Sequence, residues 1–156
     1  MQYMKEICDD LDKIPVKKNC QDKALNLILS SYLEKATEQN IQTIVSVTAT
    51  DFSRFQIPDL CSLLANALEN AIHSCAEITD PNARYIRLKI YEKNHQLCIN
   101  MANSYGKEPV FENDIPISHC AGHGIGVQSM ISVVEKYHGI YGFFASTGEF
   151  RFQTTL

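Results

Sequence analysis

The stretch Leu63-Leu64-Ala65-Asn66-Ala67-Leu68-Glu69-Asn70-Ala71-Ile72-His73 constrains this chain more than any other. It follows Pro58, which suits a first helical turn because its φ is already helical and its missing N–H would lack a partner there. At about 100° per residue, Asp59, Ser62, Asn66, Glu69, Asn70, His73 and Glu77 share one side of the helix, and Leu60, Leu64, Leu68, Ala71, Ile72 and Cys75 share the other. Amphipathicity alone makes the polar side a solvated face. Its residues argue otherwise, since a solvated helix centre is normally filled with Lys, Glu, Gln or Arg, and Asn is a poor helix former. Asn66 and Asn70, at i and i+4, project neighbouring carboxamides, each with a neutral oxygen acceptor and an NH₂ donor. Such oxygens suit a hard cation that already carries anionic phosphate ligands.

A second stretch, Ala121-Gly122-His123-Gly124-Ile125-Gly126-Val127-Gln128-Ser129-Met130, places alternating glycines directly before a helical pattern. Bare backbone N–H groups there can approach an anion at a helix N-terminus. By itself the run also reads as an ordinary flexible turn. It is neither the dinucleotide fingerprint nor a P-loop, since it lacks the G-x-G-x-x-G spacing after a strand and no Gly-Lys-Ser/Thr follows.

Taken as a pair, the Asn-x-x-x-Asn-Ala helix and the Gly-His-Gly-Ile-Gly about fifty residues later resemble the N box and second glycine box of the GHKL, or Bergerat-fold, ATP-binding superfamily. The spelling is most similar to the catalytic domain of peptide-sensing, Agr-type histidine kinases and their LytS-like relatives. The resemblance covers about residues 20–156 and implies that residues 1–19 end a linker or dimerisation helix. One place departs from the pattern. Where relatives outside this branch carry an Asp-x-Gly-x-Gly adenine-binding box, this chain reads Asn100-Met101-Ala102-Asn103-Ser104-Tyr105-Gly106.

The resemblance implies that ATP lies between the central helix and a long loop acting as a lid. It makes Asn70 the Mg²⁺ ligand and places Asn66 where hydrolytic members carry a water-activating Glu. A neutral amide cannot serve as that base, which favours a kinase over an ATPase; these two are the expected catalytic positions. His73 falls near the phosphates, as a donor if protonated, or in solvent. Asn103 stands in for the adenine-binding Asp or is an ordinary strand-end Asn, and Tyr105 leans on the base or covers the core. Ser118 and His119 occupy the lid segment where relatives place a Ser and a Lys. Gly122, Gly124 and Gly126 face the phosphates, with His123, Ile125 and Val127 beside them.

The implied function is the ATP-binding catalytic domain of a two-component sensor histidine kinase, passing the γ-phosphoryl of Mg-ATP to a His on a dimerisation helix. None of His73, His95, His119, His123 or His138 lies in a pattern resembling that acceptor helix, so the chain alone is expected to be inactive. The implied partners are the parent's dimerisation hairpin and, through it, a response regulator. The implied parent is a membrane-anchored homodimer with this domain in the cytoplasm. Two alternatives remain: an anti-sigma-type serine kinase of the same superfamily, and a non-catalytic interaction module with the same fold.

Composition narrows the field further. A formal charge of −4 without a Lys/Arg cluster offers no field for a nucleic-acid backbone. The cysteines Cys8, Cys20, Cys61, Cys75, Cys98 and Cys120 form no C-x-x-C pair, so neither a zinc knuckle nor a redox motif is indicated and a reducing compartment fits. Cys61 and Cys75 are placed on the apolar side of the central helix. No segment has the apolar length of a membrane span or the apolar run of a signal peptide, so no membrane contact by this chain is expected.

Periodicity supplies the remaining elements. Residues 3–14 carry Met4, Ile7, Leu11 and Ile14 at helical spacing, and residues 23–38 repeat the pattern with Ala24, Leu27, Ile28, Ser31 and Tyr32. Ile41, Ile44, Val45 and Val47 mark a strand, residues 85–91 and 96–102 form a hairpin about Lys93-Asn94-His95, and residues 140–145 and 149–154 form another about Thr147-Gly148. Residues 104–121 read as a long loop, and Val127, Met130, Ile131 and Val134 as a helix ending at His138-Gly139. This order predicts an α/β fold, a two-layer sandwich of one mixed sheet with helices on one face.

Overall fold

A computed structural model describes residues 19–117 and 124–156. The helix expected over residues 3–14 lies outside the described residues. In chain order the elements are α1 (Lys23–Glu38), β1 (Gln42–Val47), α2 (Ile57–Ala76), a 3-10 turn (Pro81–Ala83), β2 (Tyr85–Lys93), β3 (Gln96–Ser104), β4 (Val110–Glu112), β5 (Ile115–Ile117), α3 (Gly124–Lys136), β6 (Ile140–Ser146) and β7 (Glu149–Thr155). Five strands form one sheet in the order β1-β2-β3-β7-β6. The β1–β2 pair is parallel and the other pairs are antiparallel. All described helices lie on one face, with α2 between α1 and α3. The expected two-layer α/β sandwich is therefore the fold.

Strand alternation decides which residues look inward. Across β2 and β3, Ile86 faces Asn103, Leu88 faces Met101 and Ile90 faces Ile99; β7 continues these rows with Phe150, Phe152 and Thr154. The apolar members of these rows meet Leu60, Leu63, Leu64, Leu68 and Cys75 of α2 in one core, and Asn103 and Thr154 are buried polar residues among them. The opposite face of the sheet carries Arg87, Lys89 and Arg151, and there Glu149 accepts hydrogen bonds from Tyr85 (2.5 Å), Arg87 (2.5 Å) and Arg151 (2.6 Å).

Local chemistry explains the element ends. The Asp22 side chain caps α1 by accepting from the Leu25 N–H at 3.0 Å. At its other end Asn40 takes φ 57°, and Ile41 N–H donates to the Ala36 carbonyl at 3.0 Å, closing the helix with a left-handed Asn. Helix α3 closes the same way, with His138 at φ 55° and Gly139 N–H donating to Val134 at 2.9 Å. The glycine here serves packing: a Cβ on Gly139 would lie 2.5 Å from the Thr155 carbonyl. Arg84 joins two helix ends, donating to Ile78 and Gln39 carbonyls at 2.6 and 2.9 Å.

Two expectations need correction. The buried stripe of α1 is Leu25, Leu29 and Ala36, with Tyr32 partly covered, whereas Leu27 is 47% exposed. The two stripes lie side by side on the helix, and docking against α2 selects the one with branched side chains one turn apart. The second correction concerns the long loop. Within it, β4 and β5 form a separate two-stranded sheet around Asn113-Asp114, at φ 53° and 62°. That turn repeats the geometry of Asn94-His95 and suits a two-residue hairpin. Pro116 hid the pattern, because proline argues against a central strand; in a two-stranded ribbon its missing donor can face outward. Phe111 anchors the ribbon by stacking on Phe150 at 6.3 Å.

Candidate functional site

The polar stripe of α2 lies against α3 and a cavity instead of facing only water. Asn66 donates from Nδ2 to the Ser62 carbonyl at 2.9 Å. A carbonyl only accepts, so this contact fixes which end of the amide is nitrogen and turns Oδ1 the other way. On that side stands Gly126, where an added Cβ would come 3.2 Å from Asn66 Oδ1 and 3.7 Å from Asn70 Oδ1. Asn70 Nδ2 is directed to Met130 Sδ at 3.9 Å. The two sequence motifs thus meet in space, with both carboxamide oxygens toward the glycine-bearing first turn of α3.

Beside this junction is a cavity of about 220 Å³. Its α2 wall is Ala67, Asn70, Ala71, His73, Ser74 and Glu77, and Val127 and Met130 of α3 stand opposite. Met101, Asn103, Phe143, Phe150 and Phe152 form the sheet-side floor, while Tyr105, Val110, Pro116 and Ile117 close another side. The floor is aromatic: Phe143 stacks on Phe152 at 5.2 Å and lies 6.2 Å from Phe150. Asn103 is a polar exception in this lining, only 3% exposed, with Nδ2 donating to the Ser104 carbonyl at 2.9 Å. A mostly apolar lining with a few fixed polar groups is the usual make-up of a small-molecule site.

Backbone approach shapes the rim. An added Cβ on Gly106 would lie 2.7 Å from the Glu77 carbonyl carbon and oxygen, so only glycine lets the chain leaving β3 cross the end of α2 this closely. That crossing brings Tyr105 to the cavity, its N–H donating to the Gly148 carbonyl at 3.2 Å. His73 pairs with Glu77 at 3.7 Å on the exposed edge.

Far from the cavity, α2 and α3 are pinned by a polar clamp. Asp59 accepts from Lys136 at 2.8 Å and from Tyr137 at 2.5 Å, and the Tyr137 hydroxyl accepts from the Gln56 N–H at 3.0 Å. Those hydrogen bonds, Lys136 first, hold the Asp59 carboxyl below its usual range. Closer to the glycine turn, Ser62 and Ser129 hydroxyls meet at 3.5 Å.

Of the candidate residues, Asn70, His73, Asn103, Tyr105 and Val127 line the cavity, and Asn66 and Gly126 adjoin it. Gly124 and Ile125 begin α3. Ser118, His119, Gly122 and His123 lie outside the described residues. Sequence reasoning missed the apolar lining. Met101 was legible once Asn103 is taken as inward-facing, since alternate strand residues share a face, and Phe150 and Phe152 follow from the same rule. No local signal marks Val110, Pro116 or Ile117, which reach the cavity through the ribbon. Among the described residues no cluster of His, Cys, Asp or Glu could hold a metal ion by itself, Cys20, Cys61, Cys75 and Cys98 are free thiols, and no helix is long and apolar enough to cross a membrane.

Known structures share this architecture. The nucleotide-free catalytic domain of histidine kinase ThkA matches with a TM-score of 0.66 at 16% identity, over 86% of this chain and 90% of that one. The mycobacterial sensor histidine kinase MprB matches at 0.60 and 18% identity, over 85% and 93%. Histidine kinase AdeS of Acinetobacter baumannii matches at 0.62 and 10%, over 99% and 78%. At these identities the likeness shows the fold. No curated protein matches the chain in sequence. Residues 55–156, which hold α2, the cavity floor and α3, match the GHKL domain family, and the chain belongs to that family.

Proposed function

We propose that the chain is the ATP-binding catalytic domain of a sensor histidine kinase, of the peptide-sensing branch its motif spelling resembles. Its role would be to present the γ-phosphoryl of ATP to a His on a dimerisation helix that is not among the residues of this sequence. The observation that carries this reading is the meeting of the two motifs: Asn66 and Asn70 turn their oxygens toward Gly126 at the rim of an apolar cavity. The base fits the aromatic floor, and the phosphates fit the N-terminal end of α3, where first-turn N–H groups and the helix dipole favour negative charge.

The donor set fits Mg²⁺ carried in by a nucleotide. Neutral carboxamide oxygens add ligands without competing for charge, and Asn70 is the residue that would hold the ion. Bound there, Mg²⁺ supplies charge neutralisation on the transferring phosphoryl group. The chain's own contribution is positioning: the floor holds the base, α3 receives the phosphates, and Asn66 leaves nearby water without a base. Phosphoryl transfer depends chiefly on positioning and electrostatics, so a site without its own nucleophile is sufficient for this half of the reaction.

Supporting the kinase reading over hydrolysis is the commitment of Asn66 Nδ2 to the Ser62 carbonyl, which leaves only a weak neutral acceptor toward the site. The parent would act as a membrane-anchored homodimer with this domain in the cytoplasm, relaying phosphate to a response regulator. Incubation of the chain and its parent's dimerisation hairpin with γ-labelled ATP tests this. Acid-labile label on the hairpin is expected; label on the chain itself, or rapid phosphate release with no hairpin label, contradicts it.

A further inference from the structure

Asn103 ends the inward-facing row of β3 at the cavity floor, and two contacts around Ser104 determine how its amide is presented. The first is the 2.9 Å donation from Asn103 Nδ2 to the Ser104 carbonyl. Because that carbonyl cannot donate, the amide has one chemically sensible orientation, and Oδ1 is the end it can offer a ligand. The second fixes the carbonyl. Main-chain pairing between β2 and β3 ends at Ile86 and Asn103, and the Ser104 hydroxyl extends it by accepting the Tyr85 N–H at 2.9 Å. Cys75, fully buried, lies beneath, its Sγ 3.4 Å from the Ser104 carbonyl oxygen and 3.3 Å from that of Tyr85. A 5% exposed serine therefore anchors the last peptide of β3 where the chain turns away.

We propose that Ser104 is a positioning residue for base selection, holding the Asn103 amide oxygen-outward so that the cavity takes a 6-aminopurine nucleotide in preference to a 6-oxopurine one. The inference rests on the nucleotide reading above and adds the device that makes the site selective. An oxygen-outward amide in a largely apolar floor accepts a hydrogen bond from an exocyclic amine. A 6-oxo group in that place sets acceptor against acceptor, and burying the two unpaired is costly. Were the amide free to turn, it would present NH₂ to a 6-oxo base as readily, and discrimination would vanish. Because Asn is neutral, the preference should also persist through the range in which an Asp would titrate.

The test is calorimetric titration of the whole chain with Mg-ATP and with Mg-ITP, whose base carries oxygen in place of the 6-amino group. The wild type is expected to favour ATP by about tenfold to a hundredfold. Ser104→Ala should bring the two affinities together by weakening ATP and strengthening ITP, and Ser104→Thr, which keeps the hydroxyl, should retain the preference. A merely structural role would lower both affinities in proportion. Asn103→Ala, which removes the amide but leaves the Ser104 anchor, should also abolish the preference, and it keeps the inference open to contradiction should Ser104→Ala not fold. Equal wild-type affinities, or a preference that survives Ser104→Ala or Asn103→Ala, overturn the proposal while leaving nucleotide binding intact. Binding of neither nucleotide overturns the nucleotide reading itself.

Discussion

Gly126 leaves room for one oxygen: a methyl group there would lie 3.2 Å from Asn66 Oδ1, tighter than ordinary van der Waals contact. The neighbour is the end of a flexible side chain and can move, so Gly126→Ala should leave folding intact; in a helix, Ala is the better residue by up to about 1 kcal/mol. The displaced carboxamide should nevertheless lower Mg-ATP affinity by about tenfold. Thermal melting and calorimetry on the same variant separate the two effects.

Asn70→Ala and Leu64→Ala should behave oppositely. Asn70 is half-buried at the cavity and its replacement favours the helix by a few tenths of a kcal/mol, so apo stability should hold while Mg-dependent affinity drops. Leu64, 2% exposed in the core, should cost roughly 2–5 kcal/mol. Chemical denaturation with and without Mg-ATP checks both; unfolding of Asn70→Ala would contradict its placement.

The clamp at Asp59 gives a pH dependence with a definite sign. Hydrogen bonds from Lys136 and then Tyr137 lower its pKa from the ordinary 3.8. A depressed folded-state pKa contributes stability that is fully present above the unfolded value and is lost as pH falls through the folded one. Asp59→Asn should therefore reduce the acid sensitivity of melting below about pH 4, with Tyr137→Phe producing part of the same change. A melting profile unchanged by Asp59→Asn contradicts the clamp.

The sequence made the sheet, its partner helices and the meeting of the two motifs legible for identifiable reasons. Helix α2 carries its own two-faced code, and the hairpins at Asn94-His95 and Thr147-Gly148 announce themselves by residues that accept positive φ. What stayed hidden depends on contacts between distant segments. The α1 stripe was misread because Leu27 and Leu29 are equally apolar and only docking distinguishes them. The β4–β5 ribbon was missed because three-residue strands hold too little pattern, and its anchor is Phe150, about forty residues away. The orientation of the Asn103 amide depends on Ser104 and Tyr85 together, which no single-strand pattern records.

The ribbon also makes a kinetic expectation. Val110, Pro116 and Ile117 line the cavity, and such short strands bury little surface of their own, so residues 110–117 should exchange amide hydrogens quickly without nucleotide and slowly with it. Equal exchange in both states would show that the ribbon does not respond to the ligand.

Nucleotide binding itself is tested most directly by calorimetric titration of the chain with ATP in the presence and absence of Mg²⁺. Saturable one-to-one binding that strengthens with Mg²⁺ is expected, together with a rise in melting temperature of about 5–10 °C at a hundredfold excess over Kd, the equivalent of roughly 2.7 kcal/mol. Absence of heat and of any melting shift at millimolar Mg-ATP would contradict the account.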